Sequence, residues 1–280
     1  MFRPPLEIQY KTPEQIDRMR AAGLVVADAL ARMREAVAPG VSTADLDRIA
    51  AEVIRGHGAT PSFLGYQGYP ATICASVNNQ VVHAIPSERQ VLREGDLISL
   101  DCGAIVDGWH GDAAITVAVG EVSRSLSRLA TVAEEALWAG IAEAARGVRS
   151  GTGRLTDISR AIENAVRRGG KYGIVDGYGG HGIGTEMHQD PHILNHGRPG
   201  RGPKLVPGLC VAIEPMITLG SPRTVELHDG WTVVTQDGSA AAHVEHTVAL
   251  LADGAWVLTA EDGGASRLGP LLSAAATSAA

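Results

Sequence analysis

The sequence predicts an α+β protein in which one antiparallel sheet, assembled from two similar halves, is covered by helices. Three observations predict it. Leu97–Gly120 reads as two strands joined at Asp107-Gly108, the dipeptide that best tolerates the positive φ of a tight hairpin turn. Helical segments with cap signals arrive in pairs ahead of the strands, instead of alternating with single strands. The pattern also recurs. Gly95-Asp-Leu-Ile-Ser-Leu-Asp101 matches Gly208-Leu-Cys-Val-Ala-Ile-Glu214 at an offset of 113, and Asp45-Leu-Asp-Arg48 matches Asp157-Ile-Ser-Arg160 at an offset of 112. Two agreeing offsets imply pseudo-twofold symmetry within one domain, with an acid at the end of the same strand in each half.

Composition narrows the class. With 45% apolar and 20% charged residues among 280, the chain can bury a substantial core and has the make-up of a soluble globular protein. No apolar run reaches the roughly 18 residues of a membrane span. The first residues, with Arg3, two prolines and Glu7, lack the apolar core of a signal peptide, so cytoplasmic residence is the expectation. Cys74, Cys102 and Cys210 cannot all pair and sit in apolar settings, which predicts reduced, buried thiols. A net charge of −7 argues against broad nucleic-acid or anionic-membrane binding, although a local basic patch could still dock on RNA.

Taken in order, residues 1–11 read as a short N-terminal extension. Thr12-Pro-Glu-Gln15 is a helix start, with Thr as N-cap, Pro at the first helical position and Gln closing a capping box. Ile16, Met19, Gly23, Val26, Leu30, Met33 and Val37 then follow at helical spacing until Pro39-Gly40. Ser42 or Thr43 caps a second helix that runs through Arg55. A loop rich in glycine and aromatics, Phe63 to Pro70, leads to short strands around Ile73–Val77 and Val81–Ala84, and then to the hairpin. Ser123–Arg146 is predicted as a long helix, and Thr156–Arg168 as another, capped by Thr156. Lys171–Asp190 is a glycine-rich loop with a short strand, and Leu209–Glu214 is a buried strand stopped by Pro215. Trp231–Thr235 and Ala242–Leu251 are predicted to pair as a second hairpin across a turn at 236–239. Residues 260–280 are expected to form a flexible tail, with a terminal helix as the weaker option, because Ala, Ser and Gly there offer few anchors.

The chemistry-bearing residues stand where propensity disfavours them. Asp101 and Asp112 interrupt apolar strands, although Asp is depleted in strands and charge is costly on a buried face. A two-residue turn at 107–108 sets Val106 against Trp109 and Asp101 opposite Ala114, which leaves Asp112 diagonal to Asp101 on the same face. Glu214 and Glu245 are further acids in apolar strands. Four carboxylates converging in a dry site need a charge equivalent to about two divalent cations. His181, flanked by glycines in Gly177-Tyr-Gly-Gly-His181-Gly-Ile-Gly184, offers a nitrogen donor. The same loop has the form of a dinucleotide fingerprint, but Gly184 and Pro191 prevent the helix that should open there. No Walker loop, Gly-x-Ser-x-Gly elbow or His-Glu-x-x-His pair is present, and His243-Val-Glu-His246 has the wrong spacing for that zinc motif.

In this order Asp101, Asp112, His181, Glu214 and Glu245 resemble the metal ligands of the type I methionine aminopeptidases, over about residues 10–258. The supporting motifs are Leu-Gly65-Tyr66-x-Gly-Tyr69-Pro70, Asn78 ahead of His83-Ala-Ile-Pro86, Ile213-Glu214-Pro215-Met216, Asp229-Gly-Trp231-Thr and Glu245-His-Thr247. A short interval from His181 to Glu214, and no zinc-binding or proline-rich arm, make it similar to the minimal bacterial form. The resemblance implies the pita-bread (creatinase/aminopeptidase-like) fold, with residues 12–259 as a single metallopeptidase domain. It implies two divalent metal ions, among Co, Mn, Fe and Zn. Asp112 and Glu245 would bridge them, His181 and Glu214 would complete one shell and Asp101 would chelate the other. A donor set with four oxygen-bearing residues and one nitrogen favours Mn, Fe or Co.

The implied catalytic residues are Glu214, as proton shuttle, with His83 and His188 as donors to the peptide and the tetrahedral intermediate. The implied methionine pocket is Phe63, Tyr66, Tyr69, Cys74, Met187 and Trp231, with His83 and His188 at the substrate. Phe63 departs from the cysteine common at its position, and Met187 from the usual aromatic. The implied activity is removal of the initiator methionine from nascent proteins and peptides with a small second residue. The enzyme would be a monomer, in transient contact with the ribosome and without membrane or specific nucleic-acid partners. A proline-specific peptidase of the same fold and a catalytically inactive binding protein are the alternatives.

Overall fold

The structure, a computed structural model, describes residues 7–278. Its helices form where the caps predict. Helix α1, Pro13–Ala36, starts on a reciprocal box in which the Thr12 hydroxyl accepts from the Gln15 amide and the Gln15 side chain accepts from the Thr12 amide. Helix α2, Thr43–Gly56, is capped by Ser42, and α3, Arg124–Ser150, by Ser123, with Gly151 closing α3 at a φ of 68°. Helix α4, Leu155–Gly169, begins one residue before the expected start. The Asp157 carboxylate accepts from the Arg154 amide at 2.7 Å and takes the capping role expected of Thr156. The Thr156 hydroxyl lies inside the first turn and donates to the Arg201 carbonyl at 3.2 Å.

Among the described residues the main sheet has nine strands. They include β1 (Ile73–Val77), β2 (Leu97–Val106), β3 (Trp109–Ala118), β4 (Gly179–Gly182), β5 (Gln189–Leu194), β6 (Cys210–Ile213), β7 (Glu245–Leu251) and β8 (Gly254–Val257). From the two-residue strand Thr60–Pro61 the order is β2-β3-β7-β6-β4-β5, with β1 beside β2 and β8 beside β7. The β2–β3 turn has φ of 49° at Asp107 and 79° at Gly108, and the register sets Asp101 against Ala114 and Gly103 against Asp112, as predicted. The halves join where β3 meets β7, with Glu245 opposite Ala114. Across that join the Thr247 hydroxyl accepts from the Asp112 amide at 3.0 Å and donates to the Asp112 carbonyl at 2.8 Å.

Alternation along β2 sends Ile98, Leu100 and Cys102 into a core with Val26, Leu30 and Met33 of α1 and Leu46 and Ile54 of α2. In the second half, Leu137 and Ile141 of α3 and Ile158 and Ile162 of α4 share a core with Val211, Ile213, Val248 and Leu250. Both helix pairs lie on one side of the sheet, so the opposite faces of β2 and β3 are left for the acids. The close approach of α1 rests on glycine. A Cβ on Gly111 would meet the Gly23 nitrogen at 2.7 Å, and one on Gly23 would strike the Leu258 carbonyl.

Two expectations need correction. The second hairpin does not form: Val233–Thr235 pairs with Thr224–Glu226 and Gln80–Val82 in a separate sheet, and Ala241–His243 pairs with Met216–Thr218. Residues 260–278 have anchors the composition hid. Short helices, Ala265–Leu268 and Ala274–Ser278, flank buried Leu268, Ser273 and Ala276, and the Ser273 hydroxyl donates to Asp253 at 2.7 Å. Of the expected extension, residues 1–6 lie outside the described residues, while the Lys11 amide donates to the Gly208 carbonyl at 2.7 Å. The three cysteines are free and buried, as expected. Among the described residues no helix is long and apolar enough to cross a membrane.

Candidate metal centre

The sheet brings the five predicted ligands to one place. Asp101 and Asp112 rise from β2 and β3, Glu245 opens β7, Glu214 follows the last residue of β6, and His181 stands in β4. All five are 9% exposed or less. Donor atoms of Asp112, His181 and Glu245 lie within 4.8 Å of one another. His181 Nδ1 is 3.0 Å from the Gly182 carbonyl, to which it donates; this leaves the Nε2 lone pair facing Glu214 Oε1 at 3.6 Å. The Glu214 carbonyl is held by the Asn195 amide group at 3.0 Å.

This arrangement is poor for free carboxylates. Burial pushes Asp101 up to about 7, and it drives Asp112, Glu214 and Glu245 well above the usual carboxylate range. Neighbouring acids add to the rise at Asp112 and Glu245. Burial also pushes His181 down to about 3, so its ring is neutral. Among the described residues no lysine or arginine pairs with these acids. Asp101 Oδ1, Asp112 Oδ1 and Glu245 Oε1 are buried without a hydrogen-bond partner. Buried orphan acceptors clustered around an imidazole lone pair fit divalent cations and little else.

One cavity of about 290 Å³ is lined by all five and by every other predicted site residue. Its apolar end is Phe63, Tyr69, Cys74 and Met187, packed with Tyr66 and Trp231. Cys74 stands beside Asp101 in the β1–β2 register, and Tyr69 meets Trp231 edge to face at 5.0 Å. A Cβ on Gly103 would meet the Phe63 ring at 2.8 Å, so that glycine makes room for the pocket wall. His188 lies with its ring 4.3 Å from that of His181, and its Nδ1 is 2.9 Å from the Tyr66 hydroxyl. His83 has a left-handed φ of 60° and packs edge-on against Tyr178. Burial pushes it down to about 4, so at neutral pH its ring carries one proton and no charge.

The structure adds one residue that sequence reasoning missed. His243 is 2% exposed, and its Nε2 stands 3.4 Å from Glu214 Oε2 and 4.0 Å from Glu245 Oε2. The available signal was strand alternation, which puts residues 243 and 245 on one face. A search for helical metal spacing passes over it.

An acid-rich, cation-shaped centre on a sheet of two related halves defines a metallopeptidase of the pita-bread fold, and the chain belongs to metallopeptidase family M24, whose model matches residues 17–251. The chain is 55% identical over 257 residues to methionine aminopeptidase 1 of Mycobacterium tuberculosis, covering 90% of this chain and 95% of that one. It is 51% identical to the methionine aminopeptidase of Clostridium acetobutylicum, over 89% of this chain and 97% of the relative. The crystal structure of methionine aminopeptidase from Thermotoga maritima superposes with a TM-score of 0.87 at 41% identity, covering 91% of this chain and all of that one.

Proposed function

We propose that the protein is a metal-dependent methionine aminopeptidase that removes the N-terminal methionine from peptides and nascent chains whose second residue is small. The observation that carries this reading is the shared cavity: an apolar, sulfur- and aromatic-lined end opens directly onto the acid cluster. Its 290 Å³ lies at the lower edge of the usual ligand-pocket range, roughly 300–1,000 Å³, as suits a single side chain. Met187 and Cys74 offer polarisable sulfur to a thioether.

In this reading Asp112 and Glu245 would hold two divalent cations jointly, with His181 and Glu214 completing one shell and Asp101 the other. Bound there, the cations would supply Lewis acidity and a water-derived nucleophile at neutral pH. The remaining work belongs to the chain. Glu214 takes the proton of the attacking water and returns it to the leaving amine. Asp101 receives the substrate's free N-terminal ammonium, which restricts cleavage to the first residue. His188, steadied by Tyr66, and His83 donate to the oxygen that gains charge in the transition state. The peptide leaves through the adjoining cleft beside His83, Tyr178 and His188, where the rings crowd the second residue. The enzyme acts as a cytoplasmic monomer in transient contact with the ribosome. Mn, Fe, Co and Zn are all candidates for the cations, with Mn, Fe or Co favoured by the oxygen-rich set.

The test is methionine release from Met-Ala-Ser, Met-Leu-Ser and an Xaa-Pro peptide by protein stripped with chelator and reloaded with Mn²⁺, Fe²⁺, Co²⁺ or Zn²⁺. Metal-dependent release from Met-Ala-Ser alone is expected. Cleavage of the prolyl peptide alone, or no release with any metal, would overturn the proposal.

A further inference from the structure

Five ligands account for the proposed centre, yet a sixth side chain faces it. His243 Nε2 is buried, lies close to one oxygen each of Glu214 and Glu245, and makes no hydrogen bond. Its 3.4 Å approach to Glu214 Oε2 falls outside hydrogen-bond geometry. Donor atoms of Glu214, His243 and Glu245 lie within 4.8 Å of one another, as do those of Asp112, His181 and Glu245. The two sets share Glu245, and each contains one imidazole.

The residue's backbone is held on both sides. The His243 amide donates to the Ser99 and Thr116 hydroxyls, both at 3.1 Å, and its carbonyl accepts from Thr116 at 2.7 Å. Ser99 and Thr116 are paired across the β2–β3 hairpin, on the face that carries Asp101. On its other side His243 pairs with Met216, two residues after Glu214. The ring is therefore carried by backbone tied both to the hairpin of Asp101 and to the strand that follows Glu214. A buried ring nitrogen aimed at two carboxylates and bonded to neither is unfavourable unless a partner arrives. A cation held by the shared acid Glu245 is such a partner, because neutral imidazole offers it a lone pair.

We propose that His243 is a sixth ligand of the metal centre, giving a nitrogen donor to the cation that otherwise has only carboxylates. The inference rests on the metal-centre reading above. It makes the centre more nearly symmetric, with His181 serving one cation and His243 the other. It also shifts the second position toward metals that favour imidazole, such as Zn²⁺ and Co²⁺, and away from Mn²⁺.

The direct test is nitrogen NMR of the full-length protein with isotope-labelled histidine, stripped with chelator and loaded with two equivalents of a spin-half cadmium isotope. Ring resonances are assigned by through-bond correlation from each histidine's own backbone amide. Scalar coupling of cadmium to the Nε2 of both His181 and His243 is expected. Coupling to His181 alone would overturn this inference and leave the metal centre standing; coupling to neither would overturn both. Calorimetric titration of His243→Gln, checked for native circular dichroism, gives a second readout. The second Zn²⁺ equivalent should bind at least about tenfold more weakly, with a smaller loss for Mn²⁺. Unchanged Zn²⁺ affinity in a folded variant would contradict the assignment. If the variant does not fold, the cadmium couplings of the native protein still decide.

Discussion

The two halves of the sheet present equivalent acids by different means. Asp101 and Asp112 come from adjacent strands joined by two residues, so one turn sets their register. Glu214 and Glu245 come from the end of β6 and the start of β7, paired strands separated in sequence by strands of two other sheets. The first half supplies only carboxylates. The second supplies the nitrogen donors, His181 and His243, and places Glu214 between them. In the proposed reading the hairpin contributes carboxylates to the centre, while the second half carries Glu214, the proton shuttle.

The strongest way to break this contrast is to exchange charge for amide at equivalent positions. Glu214→Gln should lower turnover by on the order of 10³-fold at saturating metal, because the proton shuttle is lost. Asp101→Asn should chiefly raise the metal concentration needed. Steady-state kinetics across a metal titration would separate the two, and the reverse pattern would contradict the division of roles. Next in size, His188→Ala should lower kcat by on the order of 10²-fold with the fold intact. Near-normal turnover there would remove His188 from the reaction.

The acid cluster also predicts how stability depends on pH. In the metal-free protein, burial raises Asp101 to about 7 and the other three acids well above their usual range. Groups with raised folded pKa stabilise at low pH, and that contribution is lost as pH rises through the folded value. Buried neutral histidines work the other way. His110 and His246, each pushed down to about 4 by burial, withdraw stability as pH falls from about 6.5. Above about 6.5 these histidines no longer act; Lys11, pushed down to about 8 by burial, opposes the acids only near pH 8, so metal-free protein should melt at progressively lower temperature from pH 6.5 toward pH 8. The slope is about 1.4 kcal/mol per pH unit for each proton the native cluster retains. Metal-loaded protein should escape this decline, because cation binding requires the deprotonated acids. Parallel melting curves for the two forms would show that the acids are not gathered as described.

Two smaller effects sharpen the comparison. Asn195→Ala removes the bond to the Glu214 carbonyl and should destabilise by about 1–3 kcal/mol in urea unfolding, with a fall in kcat. Gly108→Ala places a Cβ at a φ of 79° and should cost about 1 kcal/mol while leaving kcat unchanged, since the turn is remote from the cavity.

How much was legible in the sequence follows the same contrast. The β2–β3 register could be read from Asp107-Gly108 and strand alternation, both local, and the 113-residue repeat pointed correctly to acids meeting at the β3–β7 join. Non-local pairing was not legible. By sequence proximity Trp231–Thr235 reads as pairing with the next strand, although Val233–Thr235 pairs with residues 80–82 and 224–226. His243 escaped because its partners, Glu214 and Ser99, are distant in sequence. The segment after 260 looked unanchored because its anchors are a few residues, Leu268, Ser273 and Ala276, whose burial depends on β8 and its neighbours. At α4 the expected cap, Thr156, lies inside the first turn, and Asp157 accepts from the Arg154 amide instead.

The central claim is that the two halves meet around a pair of cations bridged by one acid from each. Anomalous diffraction from crystals of Mn²⁺-loaded protein tests it most directly. Two peaks about 3.5–4 Å apart between Asp112 and Glu245, one beside His181 and Glu214 and the other beside Asp101, are the expected result. A single peak, or peaks away from Asp112 and Glu245, would contradict the account.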